Sequence, residues 1–474
     1  MVDYGIWSII PPLLTIVLAI VTRHVIVSLV LGVVLGALVL ADFSLGAGLA
    51  GAAQGMVDVF KSDGSAKVLI FIVMIGGIIH LTRVTRGMEG LIQLLTERVQ
   101  LVRGPVSTQL LGLVLTAIIF VESNISLLTA GIVTQPLVSR YRVSREKMAY
   151  VIRNTGLTVW SSVMINGWGA AMMGVIGTQI ARGFIQGEPF AILARSMVFN
   201  LYAWVSLLLV LLAIFTPFGF RGMRRADARA AAGVELREGA IPMIDDEAPQ
   251  YLDCTPRALN LILPLLAMIL TVPVGLYITG DGVLTAGSGS TAVLWGALVG
   301  QLVAFIQFVG VQRIMGMTQF FDELINGYKS MMTLTIIMVL AFLIGNVAGD
   351  LNAGGYLASK MQGVVSPGLT AGIIFLLACI ISLSTGTSWG TFAIMIPIGV
   401  QAAVAVGADP YVVIGAAISG SIFGDGVSPI SDTGIVASMA TAGDLIDHIN
   451  SQLPYLFSAA GLAFVLYVIV GFAV

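Results

Sequence analysis

Charge is what this chain lacks most. Of its 474 residues only 10% are Asp, Glu, Lys or Arg, against about 25% in an ordinary soluble domain. With 57% hydrophobic residues and a mean hydropathy of +0.99, that scarcity excludes a soluble globular fold. Cysteine is nearly absent: Cys254 lies in a polar stretch and Cys379 in an apolar run, so no disulfide framework is expected. The net charge of −2 and the absence of a basic run leave no footprint for nucleic acid. No G-x-x-x-x-G-K-[ST] loop occurs, and the longest polar stretch is too short for a nucleotide-binding domain, which disfavours an ATP-driven pump. Nothing points to an enzyme or to a bound cofactor.

What the chain has is apolar length. Runs of roughly 18 to 25 apolar residues recur between residues 6 and 473, the length that crosses about 30 Å of hydrocarbon. The first run is followed at once by others, so it is expected to be a span and not a cleaved leader. The chain therefore reads as an all-α polytopic protein of the inner or plasma membrane, with the lipid bilayer as its solvent. Its 55 glycines suit close helix packing and interrupted helices.

Basic residues orient the spans, because Lys and Arg accumulate on cytoplasmic loops. Arg83, Arg86, Arg98 and Arg103 precede the segment 105–138, and Arg140, Arg142, Arg145 and Lys147 follow it. Both of its ends are thus expected in the cytoplasm, and a re-entrant hairpin with its tip at Glu122, Ser123 and Asn124 is the simplest solution; two ordinary spans also satisfy the charges. Residues 87–102 read as an amphipathic surface helix, and 149–180 as a span interrupted at residues 154–156 and again at Asn166. The arginine-rich stretch 220–257 reads as a cytoplasmic linker.

The linker separates two similar halves, residues 1–219 and 258–474. Asp322 and Met338 answer Asp58 and Met74, Ser384 and Pro397 answer Ser123 and Pro136, and Asp432 answers Asn166. Matching loops differ in charge: the counterpart of the basic loop 140–147 holds no basic residue. Opposite orientation in the membrane produces such a difference, so the halves read as inverted repeats, each of about five transmembrane helices plus one re-entrant hairpin, with broken helices at the midplane.

Within the second half, S-T-G-T-S-W-G-T-F-A-I-M-I-P-I at 384–398 and F-G-D-G-V-S-P-I-S-D-T at 423–433 resemble the signature region of the NhaC family of sodium/proton antiporters. The resemblance implies the inverted-repeat fold of the ion transporter superfamily, an elevator mechanism and a homodimer. It leaves the cargo open, since relatives include malate/lactate exchangers and amino-acid carriers.

The residues themselves point to a site for a hard cation. Sodium takes oxygen ligands, and broken helices supply unpaired carbonyls and oriented dipoles. Ser384, Thr385, Gly386, Thr387, Ser388 and Trp389 form the expected tip of the second hairpin; Asp425, Ser428, Asp432 and Thr433 lie in the following break, where Pro429 holds the helix open. Asp425, Asp432, Ser384 and Thr387 are the expected Na⁺ ligands. A buried carboxylate takes either a cation or a proton, which is the logic of Na⁺/H⁺ exchange. Glu122, Ser123, Asn124, Asn154, Thr155 and Asn166 form the matching lobe in the first half. Carriage of a small organic acid or amino acid on the same fold is the alternative, with Trp389 and Arg153 contacting the solute. His80 and Glu323 read as interfacial or ion-pairing residues, and Trp160 and Trp168 as packing or as the wall of a substrate pocket.

Overall fold

In hydrocarbon a helix satisfies its own backbone, and helix is what the apolar runs form. The computed structural model describes residues 4–22, 24–98, 102–121, 123–243, 251–284, 287–353, 356, 366–429 and 431–474. Glu122 and the segment 354–365, apart from Tyr356, lie outside them. The first half contributes α1 (Ile10–Thr22), α2 (Val25–Leu40), α3 (Leu45–Val59), α4 (Asp63–Val84), α5 (Gly87–Arg98), α6 (Pro105–Ile118) and α7 (Ser123–Arg140). It continues with α8 (Arg145–Ser162), α9 (Gly167–Ala181), α10 (Pro189–Val198) and α11 (Leu201–Phe215), and α12 (Arg221–Ala231) follows in the linker. The second half contributes α13 (Leu259–Thr279), α14 (Gly289–Phe305), α15 (Met317–Ser330) and α16 (Met332–Asp350). It closes with α17 (Pro367–Thr385), α18 (Ser388–Val406), α19 (Pro410–Val427), α20 (Asp432–Ala440) and α21 (Leu445–Ala473).

Among the described residues, nine helices are long and apolar enough to cross a membrane; a tenth span results if the α10–α11 pair, bent by 48°, counts as one. The protein is a multi-pass membrane protein.

Two pairs of helices fold back on themselves. Ser126 Oγ on α7 donates to the Thr116 carbonyl on α6 at 3.1 Å, and Tyr141 OH donates to the Val102 carbonyl at 2.8 Å. The chain thus returns to the level at which it entered, as the charges at both ends require, with a turn between α6 and α7. In the second pair, a Cβ on Gly399 of α18 would lie 3.3 Å from Ile374 of α17. Their turn is Gly386–Thr387, and Gly386 has φ +70°, a left-handed conformation that costs any other L-residue about 1 kcal/mol.

Two further pairs are interrupted helices that run on. α8 stops at Ser162 and α9 starts after Asn166; α19 stops at Val427 and α20 starts after Ser431. The sequence suggests a break at residues 154–156, and here the structure differs: α8 runs through them unbroken. Asn154 Nδ2 donates back to the Tyr150 carbonyl one turn earlier, at 3.0 Å, and Gly156 makes room for the Trp160 ring.

The halves pack reciprocally. α15 lies on α4 and α3 lies on α16. Gly327 on α15 meets Gly76 so closely that a Cβ there would come within 2.4 Å of the Gly76 carbonyl oxygen, the backbone-to-backbone approach that small residues permit. His80 on α4 pairs with Glu323 on α15 at 2.8 Å. The linker is tied down as well: Asp227 accepts from Ser144 at 2.7 Å and from Lys147 at 3.1 Å, and Arg229 pairs with Glu146.

Candidate functional site

Asp425 is the organising group. Asp409 caps α19 by accepting from Tyr411 N at 2.7 Å and Val412 N at 3.4 Å, with Pro410 at the first helical position. The helix then ends where Pro429 can donate no backbone hydrogen bond. This leaves the Asp425 carboxylate, 2% exposed, in the last turn, the negative end of a helix dipole.

Two other helix starts compensate. Ser388, the first residue of α18, donates to Asp425 Oδ2 from its backbone N at 3.3 Å and from its hydroxyl at 2.7 Å. At the start of α20, the Ser431 and Thr433 hydroxyls donate to Oδ1 at 2.6 and 2.8 Å. Three hydroxyls and the positive ends of two helices thus converge on one carboxylate, an arrangement suited to holding negative charge.

The fourth side is Arg153 of α8, fully buried. Its Nη2 donates to the Asp425 carbonyl at 2.8 Å and lies 3.7 Å from the carboxylate, while Nε donates to Thr433 Oγ1 at 3.2 Å. Gly434 lets the guanidinium lie against α20, since a Cβ there would stand 2.9 Å from its central carbon. Arg153 Nη1 has no hydrogen-bond partner.

The first-half break reaches the same place. Asn166 caps α9 by accepting from Gly169 N at 2.9 Å, and its amide donates to the Trp160 carbonyl at 3.0 Å and to the Phe120 carbonyl, in the first hairpin turn, at 3.3 Å. Trp168 then bridges the lobes, its ring 6.0 Å from Trp160, 5.5 Å from Trp389 and 5.5 Å from Phe392. Both hairpin turns and both helix breaks therefore meet around one aromatic-walled centre.

Against this geometry the sequence profile of one known family, described as the "Na+/H+ antiporter family", matches residues 158–472. The chain belongs to the Na⁺/H⁺ antiporter family. The match spans both helix breaks and the second hairpin, and with them Asp425, Ser388, Ser431 and Thr433; Arg153 lies five residues before it. An uncharacterized protein of Haemophilus influenzae is 29% identical, an alignment covering 100% of this chain and 92% of that protein. The malate-2H(+)/Na(+)-lactate antiporter of Bacillus subtilis is 28% identical over 158 residues, 32% of either chain. In fold, the chain is similar to the YdaH transporter of Alcanivorax borkumensis, with a TM-score of 0.57 at 14% identity, covering 90% of this chain and 89% of that one.

Within this antiporter fold the residues singled out from sequence distribute unevenly. Ser388 and Thr433 both contact Asp425. Asp432 opens α20 on the exposed side, its carboxylate accepting from Thr433 N at 2.8 Å. Ser384 and Thr385 donate to carbonyls of their own helix, at 2.8 and 2.9 Å, whereas the Thr387 carbonyl accepts from Thr391 at 2.9 Å. Ser428 is buried beside Pro429, its hydroxyl without a partner, as is that of Thr155. Asn154 donates to Gln452 of α21 at 3.0 Å, and Gln452 donates to the Gly426 carbonyl at 3.0 Å. Asn124 is exposed in the first turn of α7, next to Ser123; Glu122 lies outside the described residues. Sequence reasoning passed over Ser431 and Gln452 as ligands and did not pair Arg153 with Asp425. The available signal for Arg153 was its isolation: it is the one basic residue between Lys147 and Arg182.

Proposed function

We propose that this protein exchanges Na⁺ for H⁺ by alternating access, with Asp425 as the group that holds either cation. The observation that carries the reading is the buried Asp425 carboxylate with three hydroxyl oxygens, from Ser388, Ser431 and Thr433, within 2.6–2.8 Å. Turned through their C–O bonds, these hydroxyls offer lone pairs in place of hydrogens and complete an oxygen shell for Na⁺. Arg153 holds the carboxylate when no Na⁺ is bound, as a tethered competitor that an arriving ion displaces. Asp432, Ser384 and Thr387 line the approach, and the first-half residues Ser123, Asn124, Thr155 and Asn166 supply neutral oxygens from the opposite lobe. The reciprocal packing of the halves supports an inverted repeat with an elevator stroke in which hairpins and broken helices move together. The basic ends of the first hairpin then face the cytoplasm, and a homodimer supplies the fixed frame.

Proteoliposomes loaded with a pH indicator test the reading. An inward Na⁺ gradient should drive proton efflux, and D425N should abolish it while the protein remains folded. Full activity in D425N would refute the assignment.

One observation favours a second reading, carriage of a small organic anion. The unpartnered Arg153 Nη1 suits a carboxylate, and the B. subtilis relative is named for malate and lactate. Thermal stabilisation by one carboxylate from a panel, dependent on Na⁺ and lost in R153Q, would establish it.

A further inference from the structure

Unpartnered buried polar atoms gather on one side of Asp425. His448, in the first turns of α21, is fully buried, and neither ring nitrogen has a hydrogen-bond partner. Its neighbours include the Glu146 backbone and the Arg153 side chain. Along α8, Glu146 Oε2, Tyr150 OH, Arg153 Nη1 and Asn154 Oδ1 are also buried without partners. The spacing 146, 150, 153, 154 sets these four on one face of the helix, and the Tyr150–Tyr455 ring contact at 4.8 Å and the Asn154–Gln452 bond show that this face meets α21. Six atoms that each forfeit about 1–3 kcal/mol when left dry do not collect by accident, and together they offer the two to four partners that a buried water needs.

The cluster also has two defined ends. At the rim, Glu146 pairs with Arg229 of the linker helix. Inside, Gln452 joins Asn154 to the Gly426 carbonyl, one residue from Asp425. The other titratable and charged groups on elements packed against α21 are Arg145 and Lys147 on α8, Arg221, Arg224, Arg225 and Asp227 on α12, Tyr202 on α11, Cys379 on α17, Tyr411 and Asp425 on α19 and Asp432 on α20.

We infer that α8 and α21 enclose a water-bearing chamber through which protons reach Asp425 from the Glu146–Arg229 rim, with His448 as the relay. The relay role rests on the exchange reading above, whereas the water does not. A neutral imidazole has one acceptor and one donor nitrogen. It takes a proton from rim water on the first and releases the proton of the second to water beside Asn154. Asp425 then accepts that proton as Na⁺ leaves, and the carboxylate ends protonated with the imidazole restored to the other tautomer.

Hydroxyl-radical footprinting of the purified full chain, read by mass spectrometry, tests the chamber. Tyr150 and His448 should be oxidised at rates typical of exposed side chains, although both are buried; labelling as slow as that of the fully buried Phe375 would overturn the water. In proteoliposomes, H448Q should slow Na⁺-driven proton movement at least about tenfold, while Na⁺ still stabilises the variant thermally as it does the parent. An unchanged rate in H448Q would overturn the relay. Should H448Q fail to fold, H448N takes its place, and the footprint of the unmodified protein stands by itself. If the parent protein moves no protons in response to Na⁺, the exchange reading falls with the relay, and the footprint still decides the chamber.

Discussion

Arg153 cannot lose its proton in a protein, so the positive charge beside Asp425 is permanent and any second cation has to compete with it. R153Q removes the competitor and leaves a buried carboxylate held by neutral donors alone. Breaking a buried pair in this way costs about 3–5 kcal/mol, so the melting temperature of R153Q should fall. Na⁺ should then stabilise R153Q more strongly than it stabilises the parent, a comparison made by thermal unfolding with and without the ion. The double variant R153Q/D425N should recover most of the lost stability and respond to Na⁺ not at all. If R153Q responds to Na⁺ no better than the parent, Arg153 is not a competitor. At this scale the sequence was partly legible. A carboxylate amid Gly, Ser and Pro in an oily chain announces itself, so Asp425 was in view. Its pairing with Arg153 was not, because the partners stand 272 residues apart and meet only through the packing of α8 on α19. Asp432 looked equivalent to Asp425 in sequence, yet it lies on the exposed side of its helix, and no local pattern separates two acids seven residues apart across a proline break.

Helix elements were easier to read than the points at which they stop. Apolar length and the arginines at each end indicated that the first hairpin returns to its starting side, and the similarity of the halves extended that expectation to the second. Breaks were harder, because Asn and Thr inside a span can interrupt it or simply bond across it. At residues 154–156 the amide of Asn154 bonds back along its own helix and out to α21, and the helix survives. Where two elements cross without side chains between them, the tolerance for change should be small. Gly327 and Gly76 make such a crossing, so G327L should force α15 from α4, lower the melting temperature by several degrees, on the scale of an overpacking defect of about 1–3 kcal/mol, and weaken the His80–Glu323 pair, whereas G310A, where a Cβ meets nothing within 4 Å, should be silent. Comparable melting of the two variants would remove the crossing from any account of stability.

The elevator proposal concerns the whole molecule, and it requires α9 to slide past α16. Arg182, just after α9, pairs with Asp350 at the end of α16 at 3.2 Å, which marks a place to stop the motion. In a background with Cys254 and Cys379 replaced, R182C/D350C bridged by a short bifunctional thiol reagent should lose exchange, and a reducible reagent should restore it on cleavage. Undiminished exchange in the bridged protein would exclude sliding at this boundary. The overall architecture was legible because charge asymmetry and hydropathy act along the whole chain, whereas the mutual approach of the lobes depends on the Trp160, Trp168 and Trp389 rings, whose packing leaves no periodic trace. The order of synthesis adds a constraint that the finished structure conceals. At about 5–20 residues per second, α8 emerges tens of seconds before α19 and α20 exist, and for that interval Arg153 sits in the bilayer with neither Asp425 nor Thr433 to meet it. An arginine at the centre of a span costs about 2.5–3.5 kcal/mol, so the nascent first half is poised to slip or to be degraded, and the last helices made rescue the earliest ones.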